Sequence, residues 1–171
     1  MILNILKKKM INFINNLKIF FYIIIFKQNL KRVFFIENQK YAHIFEPLLK
    51  KSKTKFSFVF STNKIILNSS LNYEILNLNN PIFIYLFFLI IATKYIYTST
   101  PDLNNSIFVS NISKKTKYIF IQHSPVGLIN AYTNKSFNDF NLVFCNNIFQ
   151  ENDVKTINKR FGKKIKTWKQ K

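Results

Sequence analysis

The chain predicts an α/β fold with three layers around a parallel sheet, preceded by an amphipathic helix, and three observations predict it. Five short apolar, β-prone runs, at residues 32–38, 56–61, 94–100, 118–125 and 141–147, each finish on small or polar side chains. Segments carrying helix caps or helical spacing separate them, and such alternation builds doubly wound parallel sheets with right-handed crossovers. The 171 residues suffice for one domain with a real core and fall short of two of ordinary size. Ligands of these Rossmann-like sheets collect outside the carboxyl ends of the strands. A polar tip repeated five times therefore points to a site.

Residues 1–30 stand apart from the domain at 31–171. Ile2, Leu6, Met10, Phe13, Leu17 and Phe20 recur every three or four residues, with Lys7, Lys8, Lys9, Lys18 and Lys27 between and around them. That spacing makes a basic amphipathic helix suited to a membrane interface, and a helix packed on the domain is the alternative. Its apolar run at 19–26 is far shorter than the ~20 residues that span a bilayer. It also lacks the small-residue cleavage site of a secretory signal.

Asn38 can cap a helix that places Tyr41, Ile44, Phe45, Leu48 and Leu49 on one face, although Pro47 inside it should kink or interrupt that helix. His43 falls off the inward stripe and reads as a surface residue. Residues 61–79 are rich in Ser and Asn and read as a long loop, with a short apolar extension at 65–67. Asn80-Pro81 opens a helix that is apolar all round, too short to span a bilayer. Thr100-Pro101-Asp102 opens another, running to Ile112, and residues 125–140 read as a loop with a short helix. Asn147 caps the last clear helix, with Phe149, Val154, Ile157 and Phe161 inward and Gly162 as its stop. One more strand can start within 164–168.

The formal charge is +19, from 26 Lys+Arg against 7 Asp+Glu, which suits nucleic acid or an anionic membrane. Only Arg32 and Arg160 are arginines, and the excess of Lys, Asn, Ile and Phe is also what an AT-rich genome imposes. The 20 Phe rule out a flexible basic tail as the whole protein. A single cysteine excludes an internal disulfide and makes a reducing compartment the default. Two histidines and one cysteine give no zinc spacing, so no metal is expected. With only Gly127 and Gly162, the chain has no glycine-rich phosphate loop and no cofactor is expected.

The stretches at 97–102, 117–126 and 137–145 resemble, in order, the amino-terminal half of CDP-glycerol glycerophosphotransferases, the teichoic-acid-polymerase-like transferases of GT-B fold. The matching order is His123, Phe137, Asp139 and Cys145, followed by the helix at 148–161, and the resemblance covers residues 32–165. It departs at Ser124, where many relatives have glycine, and at Asn146-Asn147, where Gly-Pro is frequent. It implies one half of a GT-B fold, the acceptor side, in a truncated copy inactive alone, because the family's second Rossmann-like half binds the CDP-activated donor. It also implies a transferase of cell-surface polymer or glycan synthesis, cytoplasmic and peripheral on the inner face of the membrane. Its partners would be an anionic membrane surface, a hydroxyl-bearing polymer or glycan acceptor and a separate donor-binding domain.

In such a transferase His123 is the candidate catalytic base, since a histidine titrates near neutrality and can take the proton of an attacking hydroxyl. Ser124, Ser99, Thr100 and Glu37 are the candidate substrate-binding residues. A purely structural His123 is the competing reading, and Glu37 can equally cap the following helix. Cys145, in an apolar strand with no adjacent base, reads as packing. The alternative from another class is a non-catalytic basic protein of membranes or nucleic acid. Nucleic acid is the weaker partner, because the aromatic residues sit in apolar runs and do not alternate with the basic ones as a stacking platform requires.

Overall fold

The computed structural model describes residues 2–26, 32–51, 57–61, 65–67, 73–78, 80–91, 93–101, 116–123, 127–133 and 135–169. In chain order these form α1 (Ile2–Phe26), β1 (Arg32–Phe35), a 3-10 turn (Gln39–Tyr41), α2 (Ala42–Lys51), β2 (Ser57–Ser61), β3 (Tyr73–Asn77), α3 (Pro81–Ile90) and β4 (Tyr95–Thr98). Then follow β5 (Lys117–Ile121), α4 (Leu128–Ala131), β6 (Phe140–Cys145), α5 (Ile148–Phe161) and β7 (Lys166–Lys169).

The seven strands make one sheet in the order β3-β2-β1-β4-β5-β6-β7, and every pairing is parallel. The chain winds outward from β1 to β3, crosses back through α3, and winds the other way from β4. The fold is a three-layer, Rossmann-like α/β domain. Strand alternation supplies both cores. Val33, Phe35, Tyr118 and Phe120 face a layer containing α3, α4 and α5, whereas Phe34, Ile36, Ile119 and Ile121 pack with Ala42, Phe45 and Leu49 of α2. Parallel strands buried on both sides need such continuous apolar runs.

The caps behave as the residue types require. Asn80 accepts from Ile82 N at 2.9 Å and Asn147 from Gln150 N at 2.9 Å, and Gly162 ends α5 in the left-handed region at φ 62°.

Four expectations need correction. The 61–79 segment contains β3, whose polar flanks hide a strand that only the neighbouring β2 completes; an edge strand tolerates them because one face of its ladder is free. Helix α2 runs through Pro47 without a break, because buried Phe45 and Leu49 anchor it on either side of the exposed proline. On α5 the inward row is Gln150, Val154 and Ile157, while Phe149 and Phe161 are exposed.

The fourth correction concerns α1. It docks on α3 and the sheet through Ile19, Phe20 and Tyr22, with the Phe20 and Phe13 rings edge-on to Phe83 at 6.1 and 5.3 Å. Its buried side runs through Asn16; of the row expected to be its working face, Leu6, Met10 and Leu17 stay exposed, Met10 by 60%, whereas Phe20 is turned to the domain and half-exposed Phe13 touches Phe83. The helix is thus packed on the domain and still presents an apolar stripe. Residues 102–112 of the expected helix and the loop residues Ser124 to Val126 lie outside the described residues.

Candidate functional site at the sheet's switch point

Winding reverses between β1 and β4, and in open parallel sheets the crevice beyond the carboxyl ends at that reversal is where ligands bind. The register puts the relevant tips side by side: Phe35 pairs with Thr98, and Thr98 with Phe120. The residues just beyond are therefore Glu37 after β1, Ser99 and Thr100 after β4, and Gln122 and His123 after β5. Four of the five expected site residues share one edge, and the fifth, Ser124, lies outside the described residues.

Glu37 and Thr100 meet across the reversal itself, with the Thr100 hydroxyl donating to Glu37 Oε2 at 2.9 Å. Thr98, fully buried, accepts from Thr100 N at 3.1 Å and so sets the turn that aims Thr100. Glu37 binds this hydroxyl and does not cap the helix after it, a role taken by Asn38, which accepts from Lys40 N at 3.1 Å. Between them Ser99 is 2% exposed, and its hydroxyl has no hydrogen-bond partner among the described residues. A buried hydroxyl left this way costs free energy, so native sites that retain one commonly use it for a ligand or a water.

His123 is half-buried, and its Nδ1 is likewise buried without a partner among the described residues. The imidazole lies against Tyr41, ring centroids 4.3 Å apart, and the Lys40 ammonium sits 4.7 Å from the Tyr41 ring centre. Burial, and then the positive charge of Lys40, hold its pKa below the usual histidine value. The imidazole is accordingly neutral at pH 7 and able to accept a proton.

A second network braces this histidine. Gln122, buried at the end of β5, accepts from Asn146 Nδ2 at its carbonyl (3.1 Å) and receives the Tyr132 hydroxyl at Oε1 (3.4 Å). Gln150 Oε1 accepts from Asn146 N at 2.8 Å, which ties the tip of β6 to the start of α5. Asp153 of α5 then accepts from Leu128 N at 2.6 Å and secures the point where the chain re-enters after His123. Behind Glu37, the Gln39 amide clamps the Ile66 peptide at both ends, accepting at 2.6 Å and donating at 3.0 Å.

Lys40, Tyr41, Gln122, Asn146 and Gln150 also contribute to this edge, which the sequence does not assign to them. For Lys40 and Tyr41 a signal existed: they occupy the first βα turn of a doubly wound sheet, the position from which switch-point ligands are contacted. The amide network carries no such local mark.

Cys145 is buried, its thiol pushed up to about 11 chiefly by burial, with Glu151 and Asp153 adding to it. It packs and does not act as a nucleophile. No group of three or more metal-ligating side chains occurs among the described residues.

Fold and edge together define a Rossmann-like α/β domain with a polar cluster and a neutral histidine at its switch point. Set against known proteins, the chain matches no family model, no curated protein and no solved structure. No helix among the described residues is long and apolar enough to cross a membrane.

Proposed function

We propose that this chain is the acceptor-side domain of a CDP-glycerol glycerophosphotransferase-like transferase that works at a membrane surface. The observation that carries the reading is the clustering, at one switch point, of a neutral His123 with the Glu37–Thr100 pair and the unpartnered Ser99 hydroxyl. The resembling stretches at 97–102 and 117–123 run to this edge, whereas Phe137 and Asp139 of the third precede β6 at the opposite one.

In this reading an acceptor hydroxyl is held by Thr100, Ser99 and Glu37. Its oxygen forms a bond to the donor's phosphorus as the bond from phosphorus to the CMP leaving group breaks, and the hydroxyl proton passes to His123. Phosphoryl transfer depends mainly on positioning and on electrostatic stabilisation of the phosphate. The chain has no glycine-rich phosphate loop. Those contributions fall to a separate donor-binding domain.

The purified 171-residue chain is therefore expected not to turn over CDP-glycerol, and to support turnover when a donor-binding domain is supplied. Turnover by the chain alone would overturn the assignment of donor binding to a second domain. No turnover with any such domain, over a range of hydroxyl acceptors, would overturn the transferase reading.

The membrane part rests on α1. Leu6, Met10, Leu17 and Ile24 remain exposed on a helix already docked through its other side, and Lys7, Lys9 and Lys18 accompany them. An apolar stripe beside lysines suits an anionic interface, where each basic residue near the surface contributes ~1 kcal/mol. Replacing Leu6, Met10 and Leu17 together by glutamine is expected to remove co-sedimentation with phosphatidylserine-containing vesicles while leaving the domain folded, as read by circular dichroism. Unchanged sedimentation would assign membrane attachment elsewhere or nowhere.

A further inference from the structure

We propose that the amino-terminal edge of the sheet, opposite the switch point, is a second binding site, for a phosphorylated small molecule of nucleotide size. A five-residue strand, ~17 Å, separates the two edges. The inference stands independently of the transferase reading.

The edge holds a cavity of about 700 Å³, within the ~300–1,000 Å³ typical of small-ligand sites. Lys117 from the start of β5 and Lys163, Lys164 and Lys166 from the approach to β7 all line it. Lysines scattered by genomic composition would be spread over the convex surface, where water solvates each one separately. Here four converge on one concavity with the single carboxylate Asp139 acting on Lys163, so the edge keeps a surplus of positive charge that suits an anion with more than one charge.

The cavity is built into the backbone. The register between β5 and β6 slips between Tyr118 and Ile119, so that Asn141 is the extra residue of a bulge. Its Oδ1 accepts from Tyr118 N at 2.9 Å and fixes the slip at the amino ends of the two strands. Bulges of this kind recur beside functional sites because they re-aim the chain.

The lysine turn is held as firmly. Left-handed Gly162 turns the chain, Lys163 N donates to Asn158 O at 3.1 Å, and the Asn158 side chain grips the Ile165 peptide at both ends, at 3.0 and 2.8 Å. Lys163, Lys164 and Lys166 are thereby presented from a fixed frame, so that little further ordering is needed on binding.

Lys163 is half-buried, with its ammonium 5.7 Å from the Phe161 ring centre, and burial lowers its pKa although Asp139 opposes that shift. An anion beside a partly desolvated ammonium recovers part of this cost. Phe161 and Tyr95 also line the cavity, and the exposure of Phe161 at the last position of α5 has a use if a planar or apolar group rests on it. Phosphates on the lysines and a flat group on the aromatic rings together describe a nucleotide-sized ligand.

The test is isothermal titration of the full chain with ADP and, separately, with inorganic pyrophosphate. The double variant Lys163→Gln/Lys166→Gln is expected to weaken both by more than about tenfold. Lys155→Gln/Lys159→Gln removes the same charge from α5 outside the cavity and is expected to change either by less than about twofold. Phe161→Ala should weaken ADP more than pyrophosphate, and His123→Ala should alter neither. Should the double variant melt below the wild type, Lys117→Gln, at an exposed strand start, replaces it. Absence of binding, equal losses in the cavity and control variants, or loss on His123→Ala would each overturn the proposal. The last result would move the ligand to the switch point and leave the transferase reading untouched.

Discussion

His123→Ala is expected to lower the rate of transfer, measured with a donor-binding domain supplied, by ~10²–10⁴-fold, the usual contribution of a general base. The imidazole is half-buried, and its folded pKa is lowered first by burial and then by Lys40. It is therefore in its basic form at neutral pH, and the acid limb of the pH–rate profile should fall below the ordinary histidine value of ~6.5. Lys40→Ala removes the opposing charge and should move that limb upward. The same shift has a stability sign. In the unfolded chain the histidine takes up its proton as pH falls through ~6.5, while the folded state resists protonation until lower pH, so acidification through that window costs stability and the window above it does not. A rate unchanged in His123→Ala would remove the histidine from the chemistry. A limb that ignores Lys40 would show that its charge does not act on His123.

Phe120→Ala is expected to cost ~3–5 kcal/mol, the range for emptying a buried aromatic site, against the ~5–15 kcal/mol that holds a domain folded. Phe120 is fully buried in β5, and Tyr132, Phe137 and Phe140 surround it edge-on, with ring centroids at 5.6, 5.2 and 5.3 Å. Tyr132 and Phe137 come from the segment that links α4 to β6, and Phe140 opens β6. One truncation therefore loosens the core, the 132–140 connection and the strand that carries His123. Urea unfolding should show the midpoint falling with little change in slope. Phe149→Ala, at a side chain 75% exposed, should stay within about 0.5 kcal/mol. A Phe120→Ala loss below about 1 kcal/mol would mean that the aromatic cluster is not packed as described.

Local pattern by itself determined most of the elements. Apolar runs such as Val-Phe-Phe-Ile and Tyr-Ile-Phe-Ile have few other ways to bury both faces than a central parallel strand, and Asn80, Asn147 and Gly162 mark their helix ends through backbone groups within three or four residues. The same local logic placed Glu37, Ser99, Thr100 and His123 at strand tips. It failed where an element's state depends on a distant partner. β3 exists because β2 offers its edge. Helix α2 continues through Pro47 because the sheet holds the residues on both sides. Phe149 and Phe161 lie outside because Gln150 is drawn in to bind Asn146, a contact invisible to hydrophobic periodicity.

Strand order belongs wholly to the tertiary structure. Nothing in the sequence separation of 63 between Glu37 and Thr100 announces that the Thr100 hydroxyl will donate to the Glu37 carboxylate; the pairing of β1 with β4 decides it. The direction in which α1 faces was decided in the same way. Its sequence offers apolar residues on more than one side, and docking against Phe83 used the side with Ile19 and Phe20. The amino-edge cavity likewise brings lysines from β5 and from the turn after α5 into one space, beside a one-residue slip between two strands. Residue type and spacing act over a few bonds and can specify what each segment becomes. Which segments become neighbours is set by the competition among all pairings to bury apolar surface, and only the folded chain resolves it.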